Sequence, residues 1–260
     1  MRLINFLLTH LPERPVLVEP FVGAGALFAN THHHSVIIND INLDLINIYK
    51  QVKKNNRQFL IEAKSFFHPK FNNKHSYYSL RDQFNQCQDP FERALLFLYL
   101  NRHGYNGLCR YNLKGGYNVP FGAYHAPYFP QKELTFFGKR LKNAKLNSLN
   151  FIDFLTKLSK KSNLEEMVIY CDPPYIPLSK TANFTGYAAC KFSEADQIKL
   201  AGLATNLTQK GAKVMVSNHD TPFTRKLYKQ AQIETIHVQR AISCQGTGRH
   251  LVPELLAIYE

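Results

Sequence analysis

Short apolar runs, each ending at a turn residue and followed by a helix-period stretch, constrain this chain more than any other feature. Val16–Val22 reads as a buried strand (VLVEPFV) closed by Gly23 and Gly25, and Val36–Asn39 as a second (VIIN) ending at Asp40. A helical pattern runs from about Leu43 to Ala63, with apolar residues at Leu45, Ile48, Val52, Phe59 and Leu60. Two further helices fall near Tyr77–Asn85 and Phe91–Asn101, and another near Lys132–Asn143. The C-terminal half alternates again: strand Met167–Cys171, helix Glu194–Thr208, strand Lys213–Ser217, helix Thr221–Ala231, then strands Ile233–Val238 and Leu255–Tyr259. Such alternation predicts an α/β fold, a Rossmann-like sheet with helices on both faces. The helical middle predicts an insertion, with residues 1–54 and 141–260 forming the sheet domain and 55–140 a mainly helical lobe. The stretch from Gly104 to Pro130 is rich in Gly, Asn, Tyr and Pro, with little periodicity.

Composition narrows the setting. The 260 residues are 45% hydrophobic, enough for one sizeable core. No apolar run is long enough to span a bilayer, and the start from Met1 to His10 lacks a cleavage site. The formal charge of +13, from 32 Lys and Arg against 19 Asp and Glu, points to a polyanionic partner. The five cysteines (Cys87, Cys109, Cys171, Cys190, Cys244) are odd in number, with no CxxC pair. A disulfide framework or zinc site is therefore not expected, and a reducing cytoplasm is. His32, His33 and His34 are consecutive, which rarely lets them converge on one ion, so no metal is expected there.

Two strand ends carry the chemistry. Glu19 to Gly25 lies where the first strand turns into a helix, and glycines there let the backbone approach a ligand closely. Asp40 follows at the end of the next strand, where a carboxylate can accept from both hydroxyls of a ribose. Together they suggest an adenosine-containing cofactor, although glycines with an acid also occur in NAD-dependent oxidoreductases; the third-glycine spacing of those enzymes is missing. The sharper feature is Asp172-Pro173-Pro174-Tyr175 after the Met167–Cys171 strand, at the end where open sheets place ligands. Prolines remove donors and leave carbonyls that only accept. The Asp172 carboxylate and the Pro173 carbonyl can each accept a hydrogen bond from an aryl-like amine, turning its lone pair out of conjugation toward a methyl electrophile. Tyr175 can stack on a base that has left its duplex neighbours.

These strings resemble the amino-methyltransferases of DNA, in the motif order of their alpha class, and most closely the bacterial Dam family. The resemblance runs over nearly the whole chain: VEPFVGAG (18–25), NDINLDLI (39–46), LFLYLNRHGYNGLCRYNLKGGYNVPFG (96–122), VIYCDPPYIPLSKTANFTGY (168–187), SNHDT (217–221) and ISCQGTGRH with ELLAIY (242–259). It implies transfer of a methyl group from S-adenosyl-L-methionine to the exocyclic amine of adenine in double-stranded DNA, within GATC, by base flipping. It implies that Phe21, Gly23, Gly25, Asp40, Ile41, Asp153 and Asp172 hold the cofactor, and that Asp172, Pro173, Pro174 and Tyr175 hold the flipped adenine. Tyr105, Asn106, Leu108, Arg110, Asn112 and Tyr124 fall in the DNA-contacting segment, Tyr105 inserting into the stack and Arg110 pairing with guanine. The 55–140 lobe becomes the target-recognition lobe, and a monomer acting in the cytoplasm on the nucleoid is expected. Two departures stand out. Ala123 follows Gly122, where family members usually carry a basic residue. The chain also begins just after the place of a short Trp- and GGK-containing segment and has no Trp. The alternative expectation is therefore a catalytically impaired DNA-binding relative. A methyltransferase for cytosine, RNA or a protein amide fits less well with the DPPY head and the 96–122 loop.

Overall fold

The computed structural model describes residues 2–176, 192–241 and 249–260. Parts of the strings 168–187 and 242–259, with Cys190 and Cys244, lie outside the described residues.

The chain divides into two compact units, one built around a sheet and the other around residues 42–146. The first has strands β1 (Val16–Glu19), β2 (Ser35–Asn39), β4 (Met167–Cys171), β5 (Lys213–His219), β6 (Gln232–Ala241) and β7 (Arg249–Tyr259). Together with β3 (Ala144–Asn147), the order is β3-β2-β1-β4-β5-β7-β6. β1 pairs in parallel with β2 and β4, and β4 with β5; β7 runs antiparallel between β5 and β6. The fold is thus the expected Rossmann-like α/β class, with an antiparallel hairpin at one edge.

Side-chain alternation explains why β1, β4 and β5 read as continuous apolar runs. Val16, Val18, Met167, Ile169, Val214 and Val216 share one core cluster with Phe154, Leu155 and Leu158 of helix α7 (Phe151–Leu158) and Leu200, Ala204 and Leu207 of α8 (Glu194–Gln209). Leu17, Ile38, Val168, Met215 and Leu256 point to the opposite face and are no more than 1% exposed. Both faces are buried, so neither alternates with polar residues. The remaining helices of this unit are α1 (Arg2–His10), α2 (Ala26–Ala29) and α9 (Pro222–Leu227).

The first strand stops at Glu19 rather than Val22, because Pro20 begins a turn. The last starts at Arg249 rather than Leu255. Pro253 within it suggests a break, but β5 pairing ends at Glu254, so the missing N–H falls where no β5 residue pairs. α1, β3 and α7 have no counterpart in the sequence pattern above.

The second unit contains α3 (Leu43–Ser65), α4 (Lys74–Gln86), α5 (Pro90–His103) and α6 (Gln131–Arg140). Each of the first three starts on a side-chain cap: Asn42, Asn73 and Asp89. α3 is kinked at Asn55, whose φ of −150° and ψ of 72° are non-helical, and the second compact unit begins at its cap, Asn42.

Candidate active site and DNA-contacting loop

The C-terminal edges of β1, β2 and β4 bring the strand-end motifs together in the first unit. β1 lies between β2 and β4, and chain direction along the sheet reverses there, the position at which open sheets form a ligand crevice.

Gly23 and Gly25 both adopt positive φ, 47° and 71°, which lets the chain reverse immediately after β1. A Cβ at Gly23 would meet nothing within 4 Å, so the outer side of the turn is open. The Gly23 N–H donates to Asp40 Oδ2 at 3.0 Å, the Gly25 N–H to the Val22 carbonyl at 2.8 Å, and the Val22 N–H to the Asn39 carbonyl at 2.9 Å. These three amides are taken up by bonds within the fold, and α2 behind them is only four residues long. Asp40 is half-buried, and a carboxylate has about four lone-pair sites, enough to accept from ribose hydroxyls as well as from Gly23.

Asn39 and Asp40 also fix the next segment. Asn39 Oδ1 accepts from the Leu149 N–H, and Ser148 Oγ donates to the Asp40 carbonyl, both at 2.9 Å. Asn150 caps α7, so exposed Asp153 stands in its first turn. Phe21 is half-buried with its ring 5.4 Å from Phe151 and 5.8 Å from Phe192. Ile41 is 61% exposed.

The Asp172–Tyr175 segment leaves β4 with Asp172 exposed and Pro173 buried. The Pro174 carbonyl accepts from Gln197 Nε2 at 2.9 Å, so it is committed to the interior. Tyr175 meets His219 edge-to-face at 4.9 Å, and its hydroxyl donates to Glu254 Oε2 at 3.4 Å. His219 Nδ1 lies 2.7 Å from the Ile176 carbonyl; only a protonated ring nitrogen can bond there, so Nδ1 carries the hydrogen. Cys171 is fully buried. Burial first, and then the charge of Asp172, push its thiol far up, so it is no thiolate nucleophile.

Sequence reading assigned no role to Glu19. It is 2% exposed at the end of β1, and its Oε1 accepts from the Phe28 N–H at 2.9 Å. Burial raises its pKa to about 8, the Phe28 N–H opposes the rise, and the nearby Asp172 charge adds to it. Below the ordinary value of 4.5 the carboxyl is neutral in both folded and unfolded chains and its contribution is intact. Between 4.5 and about 8 only the unfolded chain ionises, so stability drains away as pH rises, with nothing further lost above that range. Glu19→Gln should therefore stabilise the unbound chain at high pH by on the order of a few kcal/mol and flatten this slope. Thermal melts of both proteins from acid to mildly alkaline pH test it; parallel slopes would refute it.

The second unit holds the expected DNA-contacting residues. Residues 42–146 carry 17 Lys and Arg against six Asp and Glu, +11 of the chain's +13, so the polyanion signal is concentrated there. Within it, residues 104–122 fold back on themselves through bridges Gly104↔Phe121 and Tyr111↔Tyr117. Tyr117 is buried against Phe84 and Phe97 as a plug, whereas Tyr105, Leu108 and Tyr124 are 40–43% exposed. The Tyr124 hydroxyl accepts from the Asn106 N–H at 2.7 Å, tying Tyr124 to this loop. Asn106 itself is left-handed, with φ 52°, a conformation Asn tolerates. Asn112 Oδ1 accepts from the Lys114 and Gly116 amides, so its carbonyl shapes the tip. Leu113 at that tip is 91% exposed and went unmarked in the sequence. Arg110 uses Nε and Nη2 on the Asn118 side chain and carbonyl, at 2.8 and 3.0 Å. Those bonds fix the plane of the guanidinium and use one edge of its fork; the Nη1/Nη2 edge is not part of them.

A family model for D12 class N6 adenine-specific DNA methyltransferase matches residues 1–242. The chain is 48% identical to a DNA adenine methylase of Salmonella typhi, 46% to one of Escherichia coli K12 and 47% to one of Vibrio cholerae O395. Each match spans 258 residues, 99% of this chain and 91% of the relative. Among solved structures, an rRNA methyltransferase from Streptomyces viridochromogenes covers 98% of this chain and 81% of its own at 10% identity and a TM-score of 0.36. That likeness is too distant to argue from, and the fold assignment rests on the strand order.

Proposed function

Since the chain belongs to the D12 class N6 adenine-specific DNA methyltransferases, and is thus a DNA adenine methyltransferase, we propose that it uses S-adenosyl-L-methionine to methylate an adenine flipped out of a GATC duplex. The observation that carries this reading is the juxtaposition of two strand ends in one sheet: the glycine turn bonded to Asp40, and the Asp172–Tyr175 segment on the other side of β1.

Phe21, Gly23, Gly25, Asp40, Ile41 and Asp153 hold the adenosine half of the cofactor, with Asp40 on the ribose hydroxyls. When bound, the cofactor supplies a methyl group made electrophilic by its sulfonium. Asp172 and the Pro173 carbonyl accept the two hydrogens of the adenine amine and aim its lone pair; Tyr175 stacks on the ring, which an extruded base requires. The Pro174 carbonyl, held by Gln197, takes no part. On methylation the amine sheds one proton, which exposed Asp172 receives and passes to water. Binding and orientation of the amine supply most of the rate, as expected where no covalent intermediate forms with the protein.

In the second unit, Tyr105 fills the gap left in the stack, and Asn106, Leu108, Asn112 and Tyr124 line the contact. Arg110 reads guanine with the Nη1/Nη2 edge of a fork that Asn118 orients. Arg110→Ala should cost about 1–3 kcal/mol of discrimination at one base pair, and Asn118→Ala a fraction of that, because it loosens the fork without removing it. Competition binding to single-substituted duplexes measures both. Equal weakening on every sequence would make Arg110 a phosphate contact.

Labelled methyl transfer to duplexes with and without GATC, with calorimetric titration of S-adenosylmethionine, tests the reading as a whole. Transfer confined to the GATC adenine supports it. Transfer at other adenines removes the GATC assignment, and duplex binding without cofactor binding would identify a DNA-binding relative instead.

A further inference from the structure

Behind the Asp172–Tyr175 segment lies a closed polar network inside an otherwise apolar core. Gln197 of α8 is 1% exposed, Asn218 of β5 is 0% and Tyr228, just after α9, is 0%. Asn218 Nδ2 donates to Gln197 Oε1 at 3.0 Å and to the Tyr228 hydroxyl at 3.2 Å; that hydroxyl donates to Gln197 Oε1 at 3.2 Å. Outside this ring, the Gln197 amide donates to the Pro174 carbonyl at 2.9 Å. Asn218 Oδ1 accepts from the Ile176 N–H at 3.4 Å. Three fully buried polar side chains are costly to desolvate, and here their bonds converge on the backbone of one loop.

The backbone of that loop explains what the network does. Pro173 and Pro174 have φ fixed by their rings. Asp172 and Pro173 each precede a proline, which confines their ψ to the extended region. From Asp172 onward, the first freely rotating torsions are therefore ψ of Pro174 and φ of Tyr175, the pair that orients the peptide plane between them. The direction of the Pro174 carbonyl is the direct readout of that plane, and it is the atom that Gln197 holds. Rotation of this plane would swing Tyr175 while leaving Asp172 in place.

We propose that Gln197 is a positioning residue for the methyl-transfer step: by pinning the Pro174–Tyr175 peptide, and braced by Asn218 and Tyr228, it fixes the Tyr175 ring relative to the Asp172 carboxylate. This rests on the role given above to the Asp172–Tyr175 segment. Gln197 touches neither substrate nor cofactor in that arrangement, so its loss slows transfer without weakening cofactor binding.

The test uses the full chain with S-adenosylmethionine and a GATC duplex, comparing wild type, Gln197→Met, Gln197→Glu and Asp172→Ala. Gln197→Met removes the donor at nearly constant volume. The saturated single-turnover rate should fall about tenfold or more, while the KM for S-adenosylmethionine stays within about twofold. Gln197→Glu supplies an independent arm. A protonated carboxyl can still donate to the Pro174 carbonyl, and burial raises its pKa. Its rate should approach wild type at low pH and drop as pH rises, with a profile that wild type lacks. A Gln197→Met protein with wild-type rate overturns the proposal, as does a parallel loss of rate and cofactor affinity. If Gln197→Met does not fold, Gln197→Glu decides: a pH profile like that of wild type overturns it. Normal turnover by Asp172→Ala removes the underlying site assignment and the proposal with it, whereas an inactive Asp172→Ala beside a fully active Gln197→Met removes the Gln197 role alone.

Discussion

Asp172→Ala should reduce methyl transfer by about 10²-fold or more while leaving the protein folded. Asp172 is exposed at the end of β4, so little packing is lost with its carboxylate. What disappears is the acceptor proposed for the adenine amine, together with a charge that raises the Glu19 pKa. With that charge gone, one cause of the raised Glu19 pKa goes too, and the unbound variant should lose less stability than wild type as pH rises. Asp172→Asn keeps an acceptor oxygen without the charge, so its rate should fall between the two. Circular dichroism establishes folding, and single-turnover transfer under saturating cofactor and duplex gives the rate. A folded Asp172→Ala with normal turnover would sink the assignment of the whole segment.

The second large effect is on stability. Asp44, 7% exposed near the start of α3, takes Arg93 Nε and Nη2 on its two oxygens at 2.5 and 3.1 Å and the Tyr111 hydroxyl at 2.7 Å. Arg93 in turn donates Nη1 to the Phe84 and Cys87 carbonyls and lies over the Phe84 ring. One carboxylate thus ties α3, α5 and the end of α4 to the loop that carries Arg110. Asp44→Ala leaves the arginine without its partner in a partly buried site, at a cost of about 3 kcal/mol. Tyr111→Phe removes one hydroxyl bond and costs about 1 kcal/mol. The two should be distinguishable in denaturant melts. If loop order matters for reading DNA, Tyr111→Phe should relax base discrimination more than its small stability cost accounts for. Equal and small destabilisation by both variants would show that the bridge contributes little.

The parts legible in the sequence are those set by neighbours along the chain. VIIN and MVIYC are strands because buried β-branched runs bounded by turn residues have few other local solutions, and both motif strings sit at strand ends as read. Helix starts near Leu43, Phe91 and Glu194 followed from the apolar period, and the structure sets them on the caps Asn42, Asp89 and Ser193. The strand-end chemistry of Asp40 and Asp172 could also be inferred, since residue type and position at a strand end decide what can be accepted or donated. The order of β7 between β5 and β6 could not, because pairing partners are chosen by packing and not by local pattern. Nor could the commitment of Arg110 to Asn118, or the pinning of Pro174 by Gln197, 23 residues further along the chain. Glu19 makes the division plainest. In the sequence it is one acid in a strand-to-turn string. Only the parallel pairing of β1 with β4 brings it near Asp172, 153 positions away, and only burial on all sides turns it into a carboxyl that holds its proton. Local propensity acts over a few residues and is written in them; desolvation and charge coupling depend on which distant residues the fold packs together, and that is decided in three dimensions.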